Sequence, residues 1–283
     1  MHRPRRAGRR TRLAATACLA LLAITGCADD PGPAAAPTSP SVAAPTPSAP
    51  TSPSAAATTT KPPAPLAGRV VVLDPGHNRD NGAHPADINR MVDAGGFSKA
   101  CNTTGTATDA GVPEATVNWE LALLLRDRLT DLGARVVLTR DANAGWGPCI
   151  DERAAVANRA DADLLLSLHA DGAAASARGF HVIMPGVRAG WTDDIADDSR
   201  EAAVLVRDAL VAAGLPPADY IGSEGLDERT DLGTLNRSDV PAVMLEAGNL
   251  RNAGDAALLT GDQGRGRVAA ALARAVSRFL STR

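Results

Sequence analysis

The sequence predicts a single α/β domain in which a twisted, mostly parallel sheet is flanked by helices on both faces. Two observations lead to this fold class: short apolar runs of strand length recur along the chain, and amphipathic helical patterns lie between them. Apolar runs without polar alternation are typical of strands that are buried on both faces. Strands and helices that alternate in this way favour right-handed crossovers, which place helices on both sides of one sheet.

The strand pattern occurs in segments dominated by Val, Leu, Ile and Met. Continuous apolar runs of this length fit buried strands better than helices, because helices normally need about ten residues or more. The predicted strands cover residues 69–74, 134–140, 163–170, 180–186 and 241–248.

The helical pattern is clearest in residues 113–133. Apolar side chains from Val117 to Leu129 recur there at spacings of three and four, which places them on one helix face. Pro113 precedes this stripe and Gly133 follows it, as expected for the start and the end of a helix. Similar stripes predict helices in residues 197–214 and 266–281.

Residues 1–26 predict a signal peptide of the lipoprotein type. A strongly basic start is followed by an apolar stretch that is too short to span a bilayer. Residues 24–27 resemble a bacterial lipobox, in which cleavage before Cys27 leaves that cysteine as a lipid-carrying amino terminus. An ordinary signal peptide with a chance cysteine is one alternative, and a paired-arginine export signal at Arg9 and Arg10 is another.

Residues 27–67 predict a lipid-anchored, disordered tether, because they are almost wholly Ala, Pro, Ser and Thr. Such a segment has too little apolar surface to offset the entropy of ordering. The folded domain is then expected over residues 68–283, at the outer face of the cytoplasmic membrane or secreted. The lipid would be its only contact with the membrane. A formal net charge of −3 gives no reason to expect a nucleic acid partner, and we expect a monomer.

Cys101 and Cys149 are expected to form a disulfide. The other two cysteines belong to the signal peptide and its cleavage site, so this pair remains in an exported, oxidising compartment. Two free buried thiols are the alternative. Each cysteine lies in a stretch that shows neither the strand nor the helix period, in residues 78–112 and 141–149. The bond would join these two irregular segments, and long irregular segments are often functional.

Side chains with metal-binding or acid–base chemistry follow three of the predicted strands. His77, His169 and Glu246 each come at the carboxyl end of a strand, where parallel α/β sheets bind ligands. Glu114 stands at the start of the first helix, near the same end. Two imidazoles and a carboxylate are a ligand set of catalytic zinc sites, which leave a fourth position open. A carboxylate within a buried apolar run, such as Glu246, costs free energy unless a partner or a cation compensates it.

These residues also have simpler interpretations. His77 can be a polar residue of a surface loop, and His169 can be a hydrogen-bonded histidine at a strand end. Glu114 can be an acidic first-turn residue that favours a helix amino terminus. No HExxH helix and no GxSxG elbow occurs, so the sequence supports neither that zinc signature nor a serine hydrolase. His84 and His181 are assigned no role.

Four motifs carry a resemblance to a known family. VVLDPGH, PEATVNWELA, LLLSLHAD and PAVMLEAGNLRN stand in the order found in the zinc-dependent N-acetylmuramoyl-L-alanine amidases of the type 3 family. The chain looks most like the compact actinobacterial members, which lack a separate wall-binding domain. The resemblance covers roughly residues 68–281.

The resemblance implies that His77, Glu114 and His169 bind Zn²⁺ and that Glu246 is the catalytic carboxylate. It implies a peptidoglycan hydrolase that cleaves the amide bond between N-acetylmuramic acid and the L-alanine of the stem peptide. The substrate would be peptidoglycan or a muropeptide. The alternative is a lipoprotein of the same fold that binds peptidoglycan, or activates another protein, without cutting.

Two features of the second motif bear on the third zinc ligand. Glu120 lies further along the same helix and is the rival of Glu114. The family commonly has a basic residue before the zinc-binding glutamate, where this chain has Pro113. Asn118 keeps the place that the family pattern gives it.

Overall fold

Six strands form the main sheet of the computed structural model, which describes residues 64–283. The strands are β1 (Val70–Pro75), β4 (Arg135–Leu138), β5 (Leu164–Asp171), β6 (His181–Pro185), β7 (Leu226–Arg229) and β8 (Ala242–Asn249). Two further strands, β2 (Met91–Asp93) and β3 (Ser98–Ala100), pair with each other as a separate hairpin. The strand order in the main sheet is β4-β1-β5-β8-β6-β7.

Most neighbouring strands of the main sheet are parallel. Four adjacent strands run in one direction: β4, β1, β5 and β8. β6 pairs antiparallel with β8, and β7 pairs parallel with β6. The predicted mostly parallel α/β sheet is therefore confirmed. The reversal brings the first residue of β6 beside the carboxyl end of β8, and this edge of the sheet holds the candidate site described below.

Helices cover both faces of the sheet, as predicted. They are α1 (Pro85–Ile88), α2 (Glu114–Asp131), α3 (Ile150–Ala160), α4 (Ala196–Ala212), α5 (Gly233–Asn236), α6 (Ala253–Thr260) and α7 (Asp262–Ser281). The long helices α2, α4 and α7 cover one face of the sheet, and α7 packs against both α2 and α4. α3 and α5 pack against the other face.

The two faces explain the continuous apolar runs. Leu166 and Val243 point to the side of α2, α4 and α7, whereas Leu165 and Met244 point to the side of α3 and α5. Because successive residues of a strand point to opposite faces, a strand buried on both faces needs an apolar side chain at every position. The polar residues that interrupt these runs therefore lie at the strand ends or form buried networks.

Residues 78–112 are more ordered than the sequence predicts. They contain a 3₁₀ turn (Asn81–Ala83), α1 and the β2–β3 hairpin. The Asp93 carboxylate closes this hairpin by accepting hydrogen bonds from the backbone N–H groups of Gly95 and Gly96. Both glycines have positive φ, which residues with a Cβ rarely adopt. The expectation of a segment without secondary structure was wrong, because polar turn contacts rather than an apolar pattern build these short elements.

The structure contains the predicted disulfide between Cys101 and Cys149, and both residues are fully buried. Cys149 also precedes α3 and stands at its N-cap. The predicted signal peptide (1–26), the lipidation site Cys27 and nearly all of the predicted tether (27–67) lie outside the described residues. Within residues 64–283, no helix combines the length and the apolar character that a membrane crossing requires.

Candidate metal centre

His77 lies just beyond β1, in the turn that follows Pro75. Its backbone is in the left-handed region, with φ of 58°, a conformation that costs a non-glycine residue about 1–3 kcal/mol. Arg153 of α3 stabilises this turn, because its Nη2 donates a 2.7 Å hydrogen bond to the His77 carbonyl oxygen. The ring is almost buried, and its Nε2 lies 3.2 Å from Oε1 of Glu114.

Glu114 is the first residue of α2, with Pro113 at the N-cap. Its side chain is buried and its Oε1 lies between the two histidines, 3.0 Å from Nδ1 of His169. The backbone N–H of Thr106 donates to Oε2 at 3.0 Å. Burial alone would raise the pKa of Glu114, but the two histidines outweigh it and hold this pKa well below its usual value.

His169 lies on β5, and its ring packs against the backbone of Gly76 in the turn after β1. A Cβ added at Gly76 would lie 2.2 Å from Cε1 and 2.3 Å from Nε2 of His169. Only glycine therefore fits at this position. Nδ1 of His169 faces Glu114.

Three donor atoms converge at this point from the ends of β1 and β5 and the start of α2. The ligand atoms of His77, Glu114 and His169 all lie within 4.8 Å of one another, and no other cluster of this kind occurs in residues 64–283. Zinc bonded tetrahedrally at about 2.0–2.1 Å separates its ligand atoms by about 3.4 Å. The separations of 3.0 and 3.2 Å around Glu114 are close to this value, and the two histidine nitrogens lie within 4.8 Å of each other, so the three side chains are near enough to share a divalent ion.

Glu246 lies beside this cluster. It is the register partner of His169 on the neighbouring strand β8, so the two side chains are on the same face of the sheet. Its Oε2 is buried and makes no hydrogen bond to protein. Burial and the nearby charges of Glu114 and Asp171 raise its pKa well above the usual value. A divalent cation in the cluster would have the opposite effect on this pKa.

The structure excludes Glu120 from this cluster. Its Oε2 pairs with Nη1 of Arg265 on α7 at 3.0 Å, so it lies on the side of α2 that faces α7. His84 is also outside the cluster, on a half-exposed turn where its ring contacts Trp146. The structure thus brings His77, Glu114 and His169 together next to Glu246. Their roles as ligands and base stay predictions.

Several polar residues around Glu246 were not predicted from the sequence. His181, the first residue of β6, is the register partner of Glu246 on the other side, and its buried Nδ1 has no hydrogen bond. Burial lowers the pKa of His181. The hydroxyl of Tyr220 donates to Oδ2 of Asp171 at 3.0 Å, and burial followed by the Asp171 charge raises the pKa of that hydroxyl. Asp171 is the last residue of the LLLSLHAD motif that contains His169, and this is the one signal in the sequence that pointed to these residues.

A buried ion pair lies beneath His77. The Asp74 carboxylate accepts a 2.5 Å hydrogen bond from Nη1 of Arg153, and it also accepts from the hydroxyls of Thr139 and Ser167 at 2.6 Å. Burial alone would raise the pKa of Asp74. The Arg153 cation and the two hydroxyls outweigh that effect and lower the pKa to about 2. The same arginine therefore joins a charged core network to the turn that carries His77.

A family model and a curated relative both identify the same kind of protein. Residues 71–278 match the Amidase_3 family, which is described as N-acetylmuramoyl-L-alanine amidase. The chain is 44% identical over 226 residues to the N-acetylmuramoyl-L-alanine amidase Rv3717 of Mycobacterium tuberculosis. That alignment covers 78% of this chain and 90% of the relative.

Two crystal structures of mycobacterial relatives are similar throughout the folded part. The N-acetylmuramyl-L-alanine amidase Ami1 of Mycobacterium smegmatis is 41% identical, with a TM-score of 0.72 over 77% of this chain and 99% of that chain. Ami1 of Mycobacterium abscessus is 44% identical, with a TM-score of 0.72 over 76% of this chain and 100% of that chain.

Proposed function

The chain belongs to the Amidase_3 family of N-acetylmuramoyl-L-alanine amidases, and we propose that it hydrolyses peptidoglycan with Zn²⁺ held by His77, Glu114 and His169. The bond cleaved is the amide between N-acetylmuramic acid and the L-alanine of the stem peptide. The observation that carries the zinc assignment is the convergence of two imidazole nitrogens and one carboxylate oxygen beside a second carboxylate, Glu246, whose buried Oε2 has no hydrogen bond.

The ligand types favour Zn²⁺, and they separate the role of the metal from the role of Glu246. Bound in such a site, Zn²⁺ supplies a Lewis acid that polarises a carbonyl and brings the pKa of a water ligand to about 7. The two neutral imidazoles and the single carboxylate of Glu114 leave a net positive charge in the site. That charge favours binding of an anionic transition state, and it favours the ionised form of Glu246.

Glu246 is the proposed general base. Its carboxylate accepts a proton from the attacking water and then donates that proton to the departing nitrogen of L-alanine. Its position supports this role, because it lies next to His169 in the sheet register and its Oε2 has no competing hydrogen bond in the protein. A partnerless buried carboxylate is costly in a purely structural role.

Two other functions are less well supported. A peptidoglycan-binding protein without catalysis would have no need for a base beside the cluster, and all four positions are filled here. A zinc deacetylase or carboxypeptidase could use the same ligand types, but the family membership favours the amidase. The products of the reaction distinguish these functions from one another.

Metal removal provides the first test. We expect the full-length protein to release an intact stem peptide with a free amino-terminal L-alanine from a muropeptide, as identified by mass spectrometry. Prior treatment with a chelator should abolish release, and added Zn²⁺ should restore it. Cleavage that continues unchanged in excess chelator would contradict the metal assignment. Loss of an acetyl group or of a terminal amino acid would instead indicate one of the other zinc hydrolases.

The proposal includes a location at the outer face of the cytoplasmic membrane, with Cys27 as the lipid attachment site. It is based on the lipobox-like order of residues 24–27, which lie outside the described residues. We expect the mature protein to begin at a diacylglycerol-modified Cys27 and to partition into detergent, whereas a Cys27→Ala variant should not. Mass spectrometry of the amino-terminal peptide is the measurement, and an unmodified Cys27 would exclude the anchor.

A further inference from the structure

The ring of His77 is oriented by two acceptors on the side opposite Glu114. Its Nδ1 lies 3.2 Å from Oδ1 of Asn102 and 3.1 Å from the carbonyl oxygen of Thr103. Both of these oxygens can only accept hydrogen bonds, and the Thr103 hydroxyl, whose Oγ1 lies 3.3 Å from Nδ1, can also act as an acceptor. The two acceptor-only oxygens therefore place the proton on Nδ1. The lone pair is then on Nε2, the atom that faces Glu114 at 3.2 Å. These contacts therefore set the tautomer that a metal ligand at Nε2 requires.

The side chain of Asn102 is itself held from both ends. Its Oδ1 also accepts from the backbone N–H of Thr103 at 2.8 Å, and its Nδ2 donates to the carbonyl oxygen of Pro148 at 2.8 Å. These two bonds fix which end of the amide faces His77. Asn102 is buried, so water does not replace a lost partner easily. The amide thus spans from its own segment to the segment that precedes α3.

The disulfide joins these same two segments. Cys101 immediately precedes Asn102, and Cys149 immediately follows Pro148. The backbone N–H of Ile150 also donates to the Cys101 carbonyl oxygen at 2.8 Å. The covalent bond therefore sets the separation between the Asn102 backbone and the Pro148 carbonyl, which is the distance that the Asn102 amide must bridge.

Asn81 provides a second bridge between these segments. Its Nδ2 donates to the Thr103 carbonyl oxygen at 2.7 Å, and its Oδ1 accepts from the backbone N–H of Gly147 at 2.9 Å. The second acceptor of the His77 ring is therefore fixed in the same way as the first. Both acceptors depend on the relative position of the two segments on either side of the disulfide.

We propose that Asn102 is a positioning residue for the metal ligand His77, and that the Cys101–Cys149 disulfide holds Asn102 in the place where it orients that ring. This inference rests on the proposed metal site and adds residues to it that touch neither the metal nor the substrate. It predicts that metal affinity depends on the disulfide, although neither cysteine is a metal ligand. Loss of an outer contact of this kind typically lowers metal affinity by about 10–100-fold.

Zn²⁺ affinity of the full-length protein, measured by competition with a chromophoric chelator, tests the inference without relying on activity. Asn102→Ala is expected to weaken Zn²⁺ binding by about 10–100-fold. The Cys101→Ser/Cys149→Ser double variant should weaken it in the same direction. Asn102→Asp retains an acceptor for the His77 ring and should lose less affinity than Asn102→Ala. The absorption spectrum of the Co²⁺-substituted protein should change in the first two variants, because the His77 ring is no longer held.

Asn158→Ala is the matched control. Asn158 lies at the other end of α3, where its amide also joins two backbone groups, the carbonyl of Arg237 and the N–H of Asp239. It should lower thermal stability and leave Zn²⁺ affinity within about twofold of the parent. Circular dichroism of the metal-free proteins establishes that each variant is folded. If the double cysteine variant does not fold, Asn102→Ala decides the role of Asn102, and the folded parent with its disulfide reduced by a phosphine decides the role of the disulfide.

The outcomes separate this inference from the proposed function. A parent that binds Zn²⁺ and a folded Asn102→Ala variant that binds it equally would overturn the role of Asn102. A folded double cysteine variant with parental affinity would overturn the role of the disulfide. A parent that binds no Zn²⁺ would overturn the proposed function, and this inference with it.

Discussion

Replacing Glu246 by glutamine is expected to lower kcat/KM for a muropeptide by about 10²–10⁴-fold, the usual contribution of a general base. Glutamine has nearly the same shape as glutamate but cannot accept a proton from water at neutral pH. Zn²⁺ affinity should fall far less than it does when a ligand is lost, because Glu246 acts on the ion through its charge and is not one of the converging ligands. Steady-state kinetics and chelator competition on the same samples measure both quantities.

The same substitution should stabilise the metal-free protein at pH 7. The Oε2 of Glu246 is buried without a partner, so an ionised carboxylate there is costly when no cation is present. A higher Tm in the variant together with lost activity is typical of a residue kept for function at the expense of stability. Glu120→Gln is the control, since Glu120 is a carboxylate that pairs with Arg265 away from the cluster. Equal losses of activity in both variants would contradict the assignment of the base to Glu246.

The sequence predicted the strands well where burial dictated their composition. β5 and β8 are covered on both faces, so their apolar runs are nearly continuous and their observed bounds differ from the predicted ones by one residue. β7 was not predicted, because an edge strand of sequence LDER has no apolar run to reveal it. The β2–β3 hairpin was missed for a related reason, since its strands have three residues each and depend on the contacts of Asp93.

The sequence predicted those residues of the candidate site that lie at the carboxyl ends of strands. His77, His169 and Glu246 could be placed at one edge because parallel strands end together. The residues that orient them could not, because their contacts join segments that are distant in the chain. Arg153, for example, reaches Asp74 across 79 positions. A buried arginine in a short polar helix has no sequence pattern that distinguishes it from a solvated one.

Asp74→Asn is expected to destabilise the domain by about 3–5 kcal/mol, because it leaves the buried guanidinium of Arg153 without its counter-charge. This loss in the free energy of unfolding should be several times larger than the loss caused by removing an exposed ion pair. Asp127→Asn is the control, since Asp127 pairs with Arg126 on the surface and its removal should cost less than about 1 kcal/mol. Urea denaturation at pH 7 measures both free energies of unfolding, and similar small losses in the two variants would contradict the role of the buried pair.

The pH dependence of this loss provides a second, independent check. The pKa of Asp74 is about 2 in the folded protein against an ordinary value of 3.8, so the folded state favours the ionised form. The corresponding stabilisation, about 2.5 kcal/mol for the difference between 3.8 and 2, is present above pH 3.8 and is lost as the pH falls towards 2. Asp74→Asn has no such group to titrate. The difference between the free energies of unfolding of parent and variant should therefore narrow by about 2 kcal/mol between pH 4 and pH 2. A constant difference over that range would show that the ion pair is not its cause.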